Sequence, residues 1–244
     1  MRSNAFYIPS FFTLLNFFWG FFSMVKVVEG DLHGAAWFIV LAIVCDGMDG
    51  KLARWTGSET SFGFELDSLA DLVSAGLAPA FLVYVGSLEP FGVLGVLVGF
   101  FYLFAGGYRL ARFNVQQAGD RSRGYVGLPI PVAGMTVASL WLFQSLLGQT
   151  LAVGWWVALL LFLTILMVST VPYDWPRLVF RGRWWQVLQS AGLLLAVGTM
   201  AVFPHKSLFP LFFLYVLLGV RRWLAALLRG EVGVSGFFLS AREH

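Results

Sequence analysis

Along its length the chain alternates long apolar runs with short polar breaks. Eight runs stand out, over residues 9–28, 35–55, 65–85, 91–115, 132–147, 153–171, 187–203 and 208–228. A helix needs about 20 apolar residues to cross the hydrocarbon of a bilayer. The runs are of that order, the fifth and seventh being the shortest. Membrane β-strands would instead give alternating segments of about ten residues, whereas these runs are continuous. The pattern predicts an all-α integral membrane protein of about eight transmembrane helices, forming a single membrane domain over residues 1–244. The breaks at 29–34, 86–90 and 148–150 are tight, so the helices they join should be antiparallel neighbours.

Composition agrees. Residues are 59% hydrophobic and only 12% charged, against about 25% charged in soluble domains. The first run lacks a small-x-small cleavage site and carries Asn16 and Lys26, so it reads as a retained span rather than a signal peptide. Cys45 is the only cysteine, which excludes an intrachain disulfide and gives no thiolate metal site. Eight spans place both termini on one face. Of the 16 Lys and Arg residues, only Lys26 and Lys206 then fall on the other face, leaving 14 with the termini. Such a bias marks the cytoplasmic side, so the chain is expected in the cytoplasmic (inner) membrane with both ends inside. The basic residues are scattered over short loops and helix ends and form no nucleic-acid surface. His33, His205 and His244 are isolated in loops or at the tail.

Against this oily background, Asp46, Asp49, Asp67 and Asp71 fall within 26 residues. An acidic group at membrane depth costs roughly 2.5–3.5 kcal/mol on insertion scales, so four together call for a chemical reason. Asp46 and Asp49 are three apart and Asp67 and Asp71 four apart, so each pair projects from one helix face. Gly50 and Ala53 continue the first face without bulk, Arg54 stands beside it, and Gly63 lies one turn before Asp67. Two like charges about 4 Å apart repel by roughly 4 kcal/mol at an effective dielectric of 20, and Lys51 and Arg54 are too few to neutralise four carboxylates. Either some are protonated or divalent cations sit among them. Oxygen ligands without His or Cys favour Mg²⁺, Mn²⁺ or Ca²⁺ over zinc. Two such ions beside a bulk-free face and an arginine suit a pyrophosphate, and a carboxylate at the edge of the cluster suits proton abstraction from an attacking hydroxyl. Two other classes use membrane carboxylates: a cation transporter lined by the same aspartates, and an intramembrane prenyltransferase. The first normally shows an inverted repeat, and none is visible. The second usually carries acidic motifs far apart, whereas Asp49 and Asp67 are only 18 residues apart.

The complete run reads D-x2-D-G-x2-A-R-x8-G-x3-D-x3-D from Asp46 to Asp71. It resembles the signature of the CDP-alcohol phosphotransferase family, whose members transfer a phosphatidyl-type group from a CDP-linked lipid to an alcohol, or a phospho-base from a CDP-alcohol to a lipid. The resemblance implies a bundle of membrane helices and a two-metal site, for Mg²⁺ or Mn²⁺, held by Asp46, Asp49, Asp67 and Asp71, with Asp71 also the general base. It puts the CDP moiety over Gly50, Ala53, Arg54 and Gly63. Thr13 and Asn16 fall where the family often places further nucleotide contacts, although hydrogen bonding between helices explains them equally well.

A second motif bears on the acceptor. The fourth run ends in Arg109-Leu110-Ala111-Arg112-Phe113-Asn114, and Gly127-Leu128-Pro129-Ile130-Pro131 follows a polar loop. The pairing resembles the branch of the family that uses serine as acceptor, together with its archaeal-lipid counterpart. The resemblance covers residues 8–135, leaving 136–244 as additional helices without a usable motif. It implies transfer of the phosphatidyl group of CDP-diacylglycerol to the hydroxyl of L-serine with release of CMP, by a homodimer in the bilayer. Serine is a zwitterion, and an arginine can bind its carboxylate through two parallel hydrogen bonds. Arg109 and Arg112 are the candidates, with Asn114 for another polar group, while interfacial anchoring is the ordinary use of such arginines. Phosphate-bearing acceptors, giving phosphatidylglycerophosphate or a phosphoinositide, need cations too and stay open on the residues alone. The two prolines after Gly127 have a plain structural use, fixing the turn before the fifth run.

Overall fold

The computed structural model describes residues 7–56, 60–119, 127–146, 148, 150–171, 173, 199 and 203–228. Among these there is no strand. The helices are α1 (Tyr7–Val28), α2 (Leu32–Thr56), α3 (Ser61–Asp71), α4 (Ala78–Val83), α5 (Val93–Gly119), α6 (Ile130–Leu146), α7 (Val153–Val168) and α8 (Pro204–Leu228). α3 and α4 belong to one helical rod, Ser61–Phe91. Five helical segments are long and apolar enough to cross a membrane, while α6 and α7 are shorter apolar helices. The chain is therefore a multi-pass membrane protein, and its described helices follow seven of the eight expected runs. The seventh run, 187–203, lies almost wholly outside the described residues, as does the segment 174–185 with its mixed Trp and Arg.

Local signals explain the breaks. After α1, Gly30 takes a left-handed backbone (φ 82°). The N–H of Gly30 bonds the Val27 carbonyl and that of Asp31 the Lys26 carbonyl, the paired pattern of a glycine-terminated helix. Asp31 then caps α2, its Oδ1 accepting from the N–H of Gly34 at 2.8 Å. Thr60 caps α3 in the same way, accepting from Gly63 at 3.0 Å.

The rod Ser61–Phe91 departs from the expected break at 86–90. The chain stays helical there and turns at Gly92, whose φ is 53°. Two π-helical stretches, Leu72–Leu77 and Tyr84–Leu88, interrupt the rod. Each comes just before a proline, Pro79 and Pro90. Proline lacks the N–H that would reach back four residues, and its ring crowds that carbonyl. Widening the turn to an i→i+5 pattern relieves the crowding without ending the helix.

Small residues bring the helices together, as is usual where lipid offers no hydrophobic drive. Gly20 of α1 packs on Ser74, and Gly134 of α6 on the backbone of Ala75, where an added Cβ would stand 2.8 Å from the Ala75 carbonyl oxygen. The Trp141 ring fills the notch left by Gly86 and lies 5.2 Å from the Trp156 ring. The buried core runs through Ala35, Ile39, Ala75, Ala78, Leu82, Tyr102, Leu142, Leu160 and Leu163. Outward, α1 exposes Phe11, Leu14, Phe18 and Phe21, and α5 exposes Leu94, Phe100 and Phe104, an apolar surface suited to acyl chains. Tyr173 is buried against α8, its hydroxyl donating to the Val216 carbonyl at 3.3 Å.

Candidate active site

The antiparallel α1–α2 hairpin and the start of the Ser61–Phe91 rod enclose the four aspartates. One oxygen each of Asp46, Asp49 and Asp67 lie within 4.8 Å of one another. Asp46 is also within hydrogen-bonding reach of Asp71, and Asp49 of Asp67. Both helical pairs thus face each other across the α2–α3 contact. Asp49 and Asp71 are buried, at 4% and 7% exposure.

α1 supplies the donors that orient them. Thr13 Oγ1 donates to Asp49 Oδ2 at 2.9 Å, and Asn16 Nδ2 donates to Asp71 Oδ1 at 3.3 Å. Thr13 and Asn16, expected among the CDP-lipid contacts, direct these donors at the carboxylates. Asp67 Oδ1 is buried without a hydrogen-bond partner. An orphaned carboxylate oxygen among three further carboxylates, with no nitrogen or sulfur ligand in the group, fits a hard divalent cation.

Beside the cluster the surface is open. Gly47 and Gly50 are exposed, and a Cβ on either would meet nothing within 4 Å. A large ligand can therefore approach the α2 backbone here. Gly63 has a local use as well, since its N–H binds the Thr60 cap. Ala53 and Arg54 lie within α2, but their side chains are outside the described residues.

The second motif divides in two. Arg109 is buried, lies 5.2 Å from the centre of the Phe113 ring, and is close enough for its charge to act on Asp71. Arg112, one turn on, reaches the end of α7: Nη1 donates to the Val168 carbonyl at 3.0 Å, and Nη2 to those of Ser169 at 3.0 Å and Met167 at 3.4 Å. A cation there satisfies the free carbonyls of a helix C-terminus and complements its dipole. Gly127 (φ 82°) packs against the same guanidinium, its N–H bonded to the Val171 carbonyl, and Leu128 N–H bonds that of Leu166. Gly127–Pro129 and Arg112 thus form one structural junction on α7.

Asn114 is tied to α3. Its Nδ2 donates to Glu65 Oε2 at 3.0 Å, and Ser68 Oγ donates to its Oδ1 at 3.2 Å. Glu65 and Ser68 escaped the sequence reading; their three-residue spacing on the helix that carries Asp67 was the available signal.

The sequence matches the CDP-alcohol phosphatidyltransferase family over residues 6–171. It is 31% identical over 229 residues to a CDP-diacylglycerol–serine O-phosphatidyltransferase of Helicobacter pylori, covering 92% of this chain and 94% of that protein. It is 35% identical over 174 residues to an archaetidylserine synthase of Methanothermobacter thermautotrophicus, covering 70% of each chain. A Bacillus subtilis protein named CDP-diacylglycerol–serine O-phosphatidyltransferase is 36% identical over 134 residues, covering 55% of this chain and 75% of its own. The match takes in every aspartate of the cluster, both arginines and the junction on α7, and the chain belongs to the CDP-alcohol phosphatidyltransferase family.

Proposed function

We propose that this chain transfers the phosphatidyl group of CDP-diacylglycerol to the hydroxyl of L-serine, giving phosphatidylserine and CMP. The observation that carries the reaction class is the convergence of Asp46, Asp49 and Asp67 oxygens within 4.8 Å, with Asp71 alongside. The relatives named for serine transfer, two of them long matches, and a buried arginine beside Asp71 carry the choice of acceptor.

In this reading Asp46, Asp49, Asp67 and Asp71 hold two divalent ions, Mg²⁺ or Mn²⁺, which when bound supply positive charge to the pyrophosphate. Thr13 and Asn16 fix the rotamers of Asp49 and Asp71. The cytidine and pyrophosphate lie over Gly50, Ala53, Arg54 and Gly63, with the acyl chains entering sideways from the bilayer. Arg109 holds the serine carboxylate. Asp71 takes the hydroxyl proton, the serine oxygen forms a bond to the lipid-side phosphorus, and the bond to the CMP oxygen breaks. Arg112 and Asn114 act one step back: Arg112 anchors α5 to α7, and Asn114 joins α5 to α3. The chain works as one membrane domain, 8–135 carrying both motifs and 136–244 adding helices. It sits in the cytoplasmic membrane with the site and both termini inside, and pairs as a homodimer.

A second reading, favoured by the archaeal relative, keeps serine and replaces the ester lipid with an ether lipid. The test is acceptor competition. Purified protein is given labelled CDP-diacylglycerol with serine, glycerol 3-phosphate or inositol phosphate, in Mg²⁺ or Mn²⁺. CMP release only with serine is expected. Release only with a phosphate-bearing acceptor rejects serine, and metal-driven ion flux in liposomes without CMP release rejects the enzyme.

A further inference from the structure

We infer that Tyr102 of α5 is a positioning residue for the carboxylate site: its hydroxyl supplies the hydrogen bond that Pro79 withholds from the helix bearing Asp67 and Asp71, and so fixes the rotation at which both are presented. The inference rests on reading the four aspartates as a divalent-cation site.

In an uninterrupted α-helix the Ala75 carbonyl would accept from the N–H of residue 79, which is proline. The chain answers with the π-helical stretch Leu72–Leu77, closed by Ala78 N–H reaching back to the Val73 carbonyl. That stretch begins at the residue after Asp71. A π turn accommodates one extra residue, which rotates the helix on one side by roughly 100° relative to the other. The phase between the Asp67–Asp71 face and the buried face through Ala75, Ala78 and Leu82 is therefore set within these six residues.

The Ala75 carbonyl cannot turn to water, because Ala75 is fully buried. Tyr102, also fully buried, donates its hydroxyl to this carbonyl at 3.0 Å. Gly20 packs on Ser74 and Gly134 on Ala75, so the segment is held sideways by close backbone contacts. Rewinding about its own axis is the freedom left, and the Tyr102 bond opposes it. Tyr102 and Arg109 are seven residues apart, two turns on one side of α5, so the face that presents Arg109 also grips the aspartate helix. Ser74 provides an internal control. Its Oγ lies on the same stretch, equally buried, with no hydrogen-bond partner.

The experiment measures Mn²⁺ binding to the purified full chain by the loss of the free-ion EPR signal, with amide exchange of residues 72–77 and CMP release followed in parallel. Tyr102→Phe should weaken Mn²⁺ binding about threefold to tenfold, the range set by one net hydrogen bond. Exchange at 72–77 should quicken. Ser74→Ala should stay within about twofold of the parent. Tyr102→Phe binding Mn²⁺ as tightly as the parent overturns the inference. So does an equal loss in Ser74→Ala, or loss of the monodisperse folded protein in Tyr102→Phe, which would make the bond a support of the whole bundle. Asp67→Asn is the arm that isolates the underlying reading: if it binds Mn²⁺ like the parent, the metal site itself is rejected.

Discussion

Each aspartate of the cluster has its own neighbours, and the differences bear on the work proposed for each. Asp71 is buried, held by Asn16 and within the influence of Arg109, which suits the proton acceptor we propose beside the arginine proposed to hold the serine carboxylate. Asp71→Asn should lower kcat by roughly 10²–10⁴-fold, the usual worth of a positioned general base, as read by CMP release at saturating serine. The two arginines should separate cleanly. Arg109→Lys keeps the charge but loses the planar fork, so the KM for serine should rise about tenfold or more while that for CDP-diacylglycerol holds. Arg112→Ala should leave the serine KM unchanged and cost roughly 1–3 kcal/mol of stability, read as a lower melting temperature in detergent, because its donors serve the α7 carbonyls. Their spacing placed both arginines on one helix face, and nothing in the sequence says which one meets a helix end. That depends on where residues 167–169 arrive, more than 50 positions away. The aspartates were legible because both pairs are local repeats of a helical period.

At the scale of elements, apolar run length gave the helices, and Gly30, Asp31 and Thr60 placed their ends through short-range capping. The rod Ser61–Phe91 was not legible in this way. The run 65–85 passes through Pro79, and Pro90 with its neighbours at 86–90 suggests a break, yet tertiary packing carries the helix through both prolines by widening it. The price is the loss of the residue-79 N–H to the buried carbonyl of Ala75, which accepts instead from Tyr102 on α5. Close packing at the same place predicts that Gly134→Ala, which forces a Cβ to 2.8 Å from the Ala75 backbone, destabilises the protein by about 1–3 kcal/mol. A thermal melt of the purified variant checks this, and an unchanged melting temperature would show that α6 moves aside freely.

For the whole molecule, the helices make a scaffold whose lipid-facing side is aromatic and aliphatic and whose acidic site opens beside the glycines of α2. That arrangement suits the proposed reaction, in which a lipid-borne donor meets a water-borne acceptor. The proposed orientation rests on the basic residues, 14 of 16 falling on one expected face. In a Cys45→Ser background, His33→Cys should react with an impermeant maleimide on intact cells, and Arg121→Cys only after permeabilisation; the reverse pattern would invert the topology. The most direct measurement of the central claim supplies the purified protein in nanodiscs with CDP-diacylglycerol, Mn²⁺ and ¹³C-labelled serine, and weighs the lipid product by mass spectrometry. Labelled phosphatidylserine should form with one CMP per lipid, and neither should form with a chelator or with Asp46→Asn. Labelled lipid formed in full without metal, or none formed with it, would contradict a metal-dependent serine transferase built on these four aspartates.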